Sequence, residues 1–272
     1  ALNQVWASDK FRYPLQMAML ALSTPENIGE KINIFKHDVF EFDENKKILL
    51  HNPNNGSEIQ EYLPKFDTIV SNLPFVQQEY LNKEAMSTIS KKLYLKYSES
   101  LRLEGKSDLY SYIPFSILDI LKENGTLGII VSNSWLGTKW GKTFFELLTK
   151  YFKVKYILLS GNGRWFENAD VVTNIIVCEK KKEAKEDLEE ITSFILLKTN
   201  IKKFILNEDN SLNYDNLKQL VANIRLSKIN TTILEKNSYS LAQIISAQKQ
   251  GLILNSLFTD CNWIFEIKNK LC

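Results

Sequence analysis

A polar amide, a proline and an aromatic residue end a strand-like run in the first third of the chain. The run Phe66 to Ser71 leads directly into Asn72, Leu73, Pro74 and Phe75. An amide oxygen and a backbone carbonyl can together accept two hydrogen bonds from one amino group, and an aromatic ring can stack on a base. One interpretation is therefore that Asn72 and the Leu73 carbonyl hold an exocyclic amine while Phe75 stacks on the base that carries it. The alternative is an ordinary Asn-x-Pro turn, which is common where a strand leaves a core.

The elements that would position these residues alternate between strands and helices. Apolar periodicity predicts strands near residues 4–7, 32–35, 66–71, 126–131, 154–159 and 171–178, and helices over 13–23, 79–92, 108–122 and 142–151. Asn55-Gly56 predicts a hairpin turn, Pro114 predicts a kink in the helix over 108–122, and Asn124-Gly125 is predicted to end that helix. This alternation predicts an α/β fold with a mostly parallel, doubly wound sheet, in which ligands bind at the strand ends. From about residue 191 the alternation fades.

Composition excludes several classes of protein. The net charge is only +2, so any contact with nucleic acid must come from a local basic face. Cys178, Cys261 and Cys272 lie far apart with no CxxC pairing, which argues against a disulfide framework or a zinc site, and no metal is expected. There is neither a long apolar run nor a signal peptide, so we expect a cytoplasmic protein that does not contact a membrane.

The motif at residues 72–75 resembles the Asn-Pro-Pro-Tyr/Phe signature of amino-group methyltransferases that use S-adenosyl-L-methionine, with leucine at the second position. That position acts through its backbone carbonyl, which leucine retains. Further segments follow in the order and spacing of the γ-type DNA adenine-N6 methyltransferases of bacterial restriction-modification systems, and these segments are Ser107 to Tyr112, Gly125 to Val131, Asn133 to Leu136 and Trp165 to Thr173. The resemblance covers about two thirds of the chain and implies a Rossmann-like, S-adenosylmethionine-dependent methyltransferase sheet.

The resemblance also implies which residues bind the cofactor. Asp9 would accept hydrogen bonds from the ribose hydroxyls, and Asp38 would accept one from the cofactor's adenine amino group. Lys10, Val39 and Asn72 complete the implied cofactor-binding set. Taken alone, Asp9 is equally well explained as the N-cap of the following helix, and Asp38 as a loop carboxylate.

The implied partner is double-stranded DNA with one adenine flipped out of the helix. Phe166 would lie on the face of that base opposite Phe75, and no strong general base is required for transfer to N6. A restriction or specificity subunit is a further implied partner. The same signature in glutamine and ribosomal RNA methyltransferases leaves a protein or RNA acceptor open, as well as a non-catalytic fragment that binds DNA or a partner.

The domain prediction places a methyltransferase catalytic domain over 1–200, and a connection with the start of a target-recognition domain over 201–272. The family's first strand and its glycine-rich cofactor-binding motif would precede Ala1. We therefore expect an N-terminally incomplete sheet that binds cofactor poorly and is inactive unless the missing part is supplied.

Overall fold

The computed structural model describes residues 2–26, 29–52, 55–74, 107–166, 171–226 and 229–261, together with residues 87 and 91. These residues belong to two compact units, one of residues 1–67 with 112–122 and one of residues 68–111 with 123–272. The helix predicted over 79–92 falls outside the described residues except at positions 87 and 91. Within the described parts of the chain, no helix is both long and apolar enough to cross a lipid bilayer.

The first unit begins with a strand, a helix and a second strand. Strand β1 (Trp6–Asp9) pairs in parallel with β2 (Asn33–Lys36), and helix α1 (Arg12–Leu22) connects them. Trp6 packs edge-on against Phe35, with ring centroids 6.3 Å apart. All three elements were predicted within two residues of their observed bounds. Because β1 and β2 are parallel, their carboxyl ends lie side by side.

A hairpin follows in the same unit. Strands β3 (Lys47–His51) and β4 (Glu58–Tyr62) pair antiparallel, with Leu50 opposite Ile59. Gly56 has a φ of +70°, a left-handed conformation that glycine adopts without steric cost. The turn predicted from Asn55-Gly56 is confirmed.

A seven-stranded sheet contains the remaining strands. In spatial order it runs β10-β11-β9-β7-β8-β6-β5, and its strands are β5 (Phe66–Asn72), β6 (Leu121–Ser132), β7 (Phe152–Ser160), β8 (Thr173–Lys180), β9 (Ile191–Leu197), β10 (Ile229–Asn230) and β11 (Leu234–Ser240). β7 and β9 are parallel, whereas β8 is antiparallel to both its neighbours. The α/β class is confirmed, but the prediction of a mostly parallel sheet is wrong. No helix is described between β7 and β8 or between β8 and β9, and without a helical crossover each of these connections returns the chain antiparallel to the strand before it.

The predicted helix over 108–122 is replaced by short turns of helix. A 3-10 turn (Leu109–Tyr112), the four-residue α2 (Ile113–Ser116) and a second 3-10 turn (Leu118–Ile120) lead into β6. Pro114 lies in the first turn of α2, where its missing N–H costs nothing, so a new helix starts there instead of a kink. Almost the whole segment is buried, unlike an amphipathic helix with one exposed face. Asn124, predicted to end the helix, lies inside β6 with a φ of 59°.

Helix α3 (Lys139–Tyr151) begins three residues earlier than predicted. The Thr138 side chain caps it by accepting a hydrogen bond from the Gly141 N–H at 3.2 Å. A Cβ at position 141 would lie 1.6 Å from the Trp135 carbonyl oxygen, so only glycine allows this approach. The helix buries Phe144 against Trp135, with ring centroids 5.4 Å apart.

The sheet continues beyond the point where alternation was predicted to fade. Three helices, α4 (Ile201–Ile205), α5 (Tyr214–Arg225) and α6 (Leu241–Lys249), accompany the last strands. β11 pairs with β9, so residues on both sides of position 200 share one sheet. The boundary between a catalytic domain and a later region at residue 200 stays a prediction.

Candidate active site

Asp9 is the last residue of β1 and is half-buried. Its Oδ1 accepts a hydrogen bond from the Phe11 N–H at 2.7 Å, and its carbonyl accepts one from the His37 N–H at 3.0 Å. The N-cap of α1 is Phe11, with no side-chain cap. The interpretation of Asp9 as the helix N-cap is therefore wrong, and its carboxylate lies in a short turn at the end of the strand.

Asp38 follows β2 in the same unit. Its Oδ2 lies 2.8 Å from Lys10 Nζ, and its Oδ1 accepts a hydrogen bond from the Phe40 N–H at 3.1 Å, which caps the 3-10 turn Val39–Glu41. Burial alone would raise the pKa of Asp38, but the Lys10 ammonium and the Phe40 N–H outweigh burial and hold it below 3.8. The same hydrogen bond and charge raise the pKa of Lys10. Asp38 is therefore an ionised hydrogen-bond acceptor. It lies near the carboxyl end of β2, beside the carboxyl end of β1 where Asp9 lies.

Asn72 is the last residue of β5, in the second unit, and its side chain is exposed. Leu73 is buried, and its N–H donates to the Ile130 carbonyl of β6 at 3.1 Å. Pro74 is exposed, and Phe75 lies outside the described residues. The hydrogen bond to β6 fixes the backbone at Leu73, so the exposed amide of Asn72 extends from a rigid strand end.

A hydroxyl network that is buried except at Ser134 lies at the end of β6. Asp108 Oδ2 accepts hydrogen bonds from Ser134 Oγ at 2.8 Å and from Ser132 Oγ at 3.2 Å. The Tyr110 hydroxyl lies 3.0 Å from Ser132 Oγ and 3.1 Å from Ser134 Oγ. Burial raises the pKa of Tyr110 far above its ordinary value, so this hydroxyl stays protonated. The network joins two of the segments that carry the family resemblance.

The first residues of β8 lie beside this network because β8 runs antiparallel to β6, with Thr173 opposite Ser132. Asn174 Nδ2 donates to the Ser132 carbonyl at 3.1 Å. Among the described residues, Asn174 Oδ1 and Thr173 Oγ1 are buried and have no hydrogen-bond partner. Unpaired buried polar atoms are rare in native structures. The place where β6 ends and β8 begins is therefore more polar than stability requires.

Phe166 is half-buried. Since Phe75 is not among the described residues, stacking of a base between these two rings stays a prediction. Residues that the sequence did not assign a role are Asp108, Tyr110, Ser132 and Asn174. The sequence feature that could have indicated these residues is the presence of hydroxyl and carboxyl groups in otherwise apolar segments.

Solved structures with the same fold include three restriction-modification proteins. A type I methyltransferase subunit from Streptococcus thermophilus is 15% identical, with a TM-score of 0.58 over 90% of this chain and 46% of its own. A modification subunit from Vibrio vulnificus is 13% identical, with a TM-score of 0.54 over 91% and 46%. The type IIG endonuclease BpuSI is 14% identical, with a TM-score of 0.53 over 79% and 22%. The chain therefore has the Rossmann-like methyltransferase fold, as predicted.

The family follows from sequence. Residues 3–166, more than half of the chain, match the Eco57I restriction-modification methylase family, and the chain belongs to that family. The type II methyltransferase M.BstVI from Geobacillus stearothermophilus is 35% identical over 106 residues, which are 38% of this chain and 17% of that protein. The chain thus spans about a sixth of the length of this curated relative. The predicted resemblance to restriction-modification methylases is confirmed.

Proposed function

We propose that this chain is the catalytic region of an enzyme that transfers a methyl group from S-adenosylmethionine to adenine N6 in DNA, within a restriction-modification system. The observation that carries the proposal is the exposed Asn72 amide at the end of β5, followed by a Leu73 backbone anchored to β6. This arrangement lies within the part of the chain that matches the methylase family.

The cofactor proposal rests on the strand ends of the first unit. Asp9 is the last residue of β1 and Asp38 follows β2, and the carboxyl ends of adjacent parallel strands are where ligands bind in open α/β sheets. Both carboxylates are acceptors that suit ribose hydroxyls or an amino group. Lys10 would exchange its bond to Asp38 for one to the ligand, since its side chain is 64% exposed. Val39 would line the same site.

Methyl transfer would break the bond between sulfur and the methyl carbon, form a bond between that carbon and N6, and release one N6 proton to solvent. The cofactor supplies an electrophilic methyl group. The amine is a weak nucleophile because its lone pair is delocalised into the ring. Acceptance of its two N–H bonds by Asn72 and the Leu73 carbonyl would localise that lone pair and orient it for in-line attack.

The target adenine must leave the duplex before these groups can reach it. Phe75 and Phe166 would stack on its two faces, which favours the flipped state by about 1 to 3 kcal/mol for each base. The proposed partners are therefore double-stranded DNA and, because one similar structure is a subunit of a type I restriction-modification system, a restriction or specificity subunit. Such a complex would act in the cytoplasm.

The test is incubation of the full-length protein with tritiated S-adenosylmethionine and unmethylated bacterial DNA, followed by nucleoside analysis. We expect label in N6-methyladenine. The Asn72→Ala variant should lose at least about a hundredfold in rate, because it lacks one of the two acceptors for the amine. Asn162→Ala is the matched control, since Asn162 is also exposed and its amide donates a hydrogen bond to the Lys198 carbonyl at 3.4 Å.

Label in another nucleoside, in RNA or in protein would replace the proposed acceptor. Cofactor binding without transfer to any of them would favour the non-catalytic alternative. An Asn72→Ala variant as fast as the wild-type protein would remove Asn72 from the site.

A further inference from the structure

Asn133 lies at the end of β6, on the strand next to the one that ends in Asn72. It is the N-cap of the 3-10 turn Ser134–Gly137, but its side chain makes no capping hydrogen bond. Asparagine is favoured at N-caps because its side chain normally does so. The half-buried amide of Asn133 therefore has no part in forming the turn that it precedes.

The backbone of Asn133 is held from both sides. Its N–H donates to the Val172 carbonyl at 2.9 Å, and its carbonyl accepts from the Leu136 N–H at 3.1 Å. The residues before and after it, Ser132 and Ser134, both donate their hydroxyls to the same oxygen of Asp108. One buried carboxylate thus fixes the chain on either side of a single asparagine.

Such a network is costly for a turn that needs only backbone bonds. Burying a carboxylate is unfavourable unless several donors compensate, and Asp108 is only 7% exposed. The network also tolerates unpaired buried oxygens on the neighbouring residues Thr173 and Asn174. The need to place a ligand-binding group precisely explains this free-energy cost better than a contribution to stability does.

We propose that Asn133 hydrogen-bonds the flipped target base and that Asp108 is its positioning residue, an inference that rests on the proposed function. Adenine presents ring nitrogens that accept hydrogen bonds beside the amine. The Asn133 amide would donate to one ring nitrogen, while Asn72 and the Leu73 carbonyl accept from the amine. Together the two strand ends would read adjacent donor and acceptor groups and so favour adenine.

The experiment measures kcat and KM for unmethylated bacterial DNA, and Kd for S-adenosylmethionine by calorimetry, with the full-length protein. Asn133→Ala should lower kcat/KM for DNA by about ten- to a hundredfold, with Kd for the cofactor unchanged. Asn133→Asp should lose at least as much, because it keeps the size of the side chain and removes the donor. Asn162→Ala again serves as the control for an exposed asparagine.

A double-mutant cycle tests the positioning role. Asp108→Asn keeps one acceptor oxygen and should lower kcat/KM for DNA by about tenfold, whereas in the Asn133→Ala background it should cause little further loss. Additive losses would assign Asp108 a structural role only and overturn that half of the proposal. Asp187→Asn is the control, since Asp187 is exposed and bonds the Glu189 N–H.

Two outcomes would overturn the assignment of Asn133. One is wild-type kcat/KM for DNA in Asn133→Ala and Asn133→Asp. The other is an equal loss of cofactor affinity in these variants. A wild-type protein that binds cofactor and transfers no methyl group to DNA would overturn the proposed function and this inference with it, so the two failures are distinguishable.

Discussion

Asp38 and Asp108 are both carboxylates in segments that resemble the methylases, yet their surroundings differ. Asp38 has a side chain that is 24% exposed and pairs with an exposed lysine. Asp108 is 7% exposed, and the bonds described to its Oδ2 come from serine hydroxyls. An ion pair in contact with water can exchange one partner for a ligand at little cost in free energy. A buried network cannot, so it suits a group that must keep its geometry.

The largest effect should follow from Asp108→Ala. Loss of the buried carboxylate removes the acceptor that the hydroxyls of buried Ser132 and exposed Ser134 share, which lowers the free energy of unfolding by about 2 kcal/mol. Asp38→Ala, measured beside it by urea unfolding, should cost about 1 kcal/mol or less. Equal losses would remove the distinction between the two carboxylates.

Asp9→Ala should separate ligand binding from stability. We expect Kd for S-adenosylmethionine to rise by about tenfold, because the ribose loses an acceptor, while the midpoint of urea unfolding changes little. Calorimetry on the full-length protein measures the affinity. An unchanged Kd would show that Asp9 does not touch the cofactor.

Tyr110→Phe removes one hydroxyl from the buried network and leaves the carboxylate in place. It should lower the free energy of unfolding by about 1 kcal/mol. Tyr13→Phe is the control, since Tyr13 is 71% exposed and should unfold as the wild-type protein does. A Tyr110→Phe variant as stable as the wild type would mean that the serines and Asp108 need no third partner.

The smallest effect should come from Lys10→Met, at about 0 to 1 kcal/mol, because the lysine side chain is 64% exposed. The folded-state pKa of Asp38 lies below 3.8, so its contribution is present above that pH and is lost as the pH falls through the folded value. The variant should therefore lose slightly less stability than the wild type between pH 7 and pH 3. A larger loss in the variant would contradict the assigned direction.

Local sequence patterns predicted the elements whose burial follows directly from their own apolar and polar residues. β5 and α3 were recognised because a strand-like run and a one-sided apolar face are visible in the sequence itself. The segment 108–122 was mistaken for one helix because its apolar spacing fits a helix while its burial on nearly all sides does not. That burial depends on distant parts of the chain.

The candidate site likewise contains residues that local patterns predicted and contacts that they could not predict. Asp9 and Asn72 were expected at strand ends, and both lie there. The links between Asp108 and Ser132 could not be predicted, because they join residues 24 positions apart and depend on which strands become neighbours. Gly141 was passed over because its requirement is the close approach of Trp135, a contact that no local pattern reveals.

The antiparallel return of β8 bears on the order of folding. The bond from Asn174 to the Ser132 carbonyl joins residues 42 positions apart, and the one from Leu73 to Ile130 also links distant segments. Contacts of such long sequence separation form slowly, since closing the intervening chain costs entropy before the contact compensates for it. During synthesis the edge beside Asn133 can therefore be completed only after residue 174 has emerged from the ribosome. A nascent chain arrested before that point should display β5 and β6 without the bonds that β8 makes to Ser132.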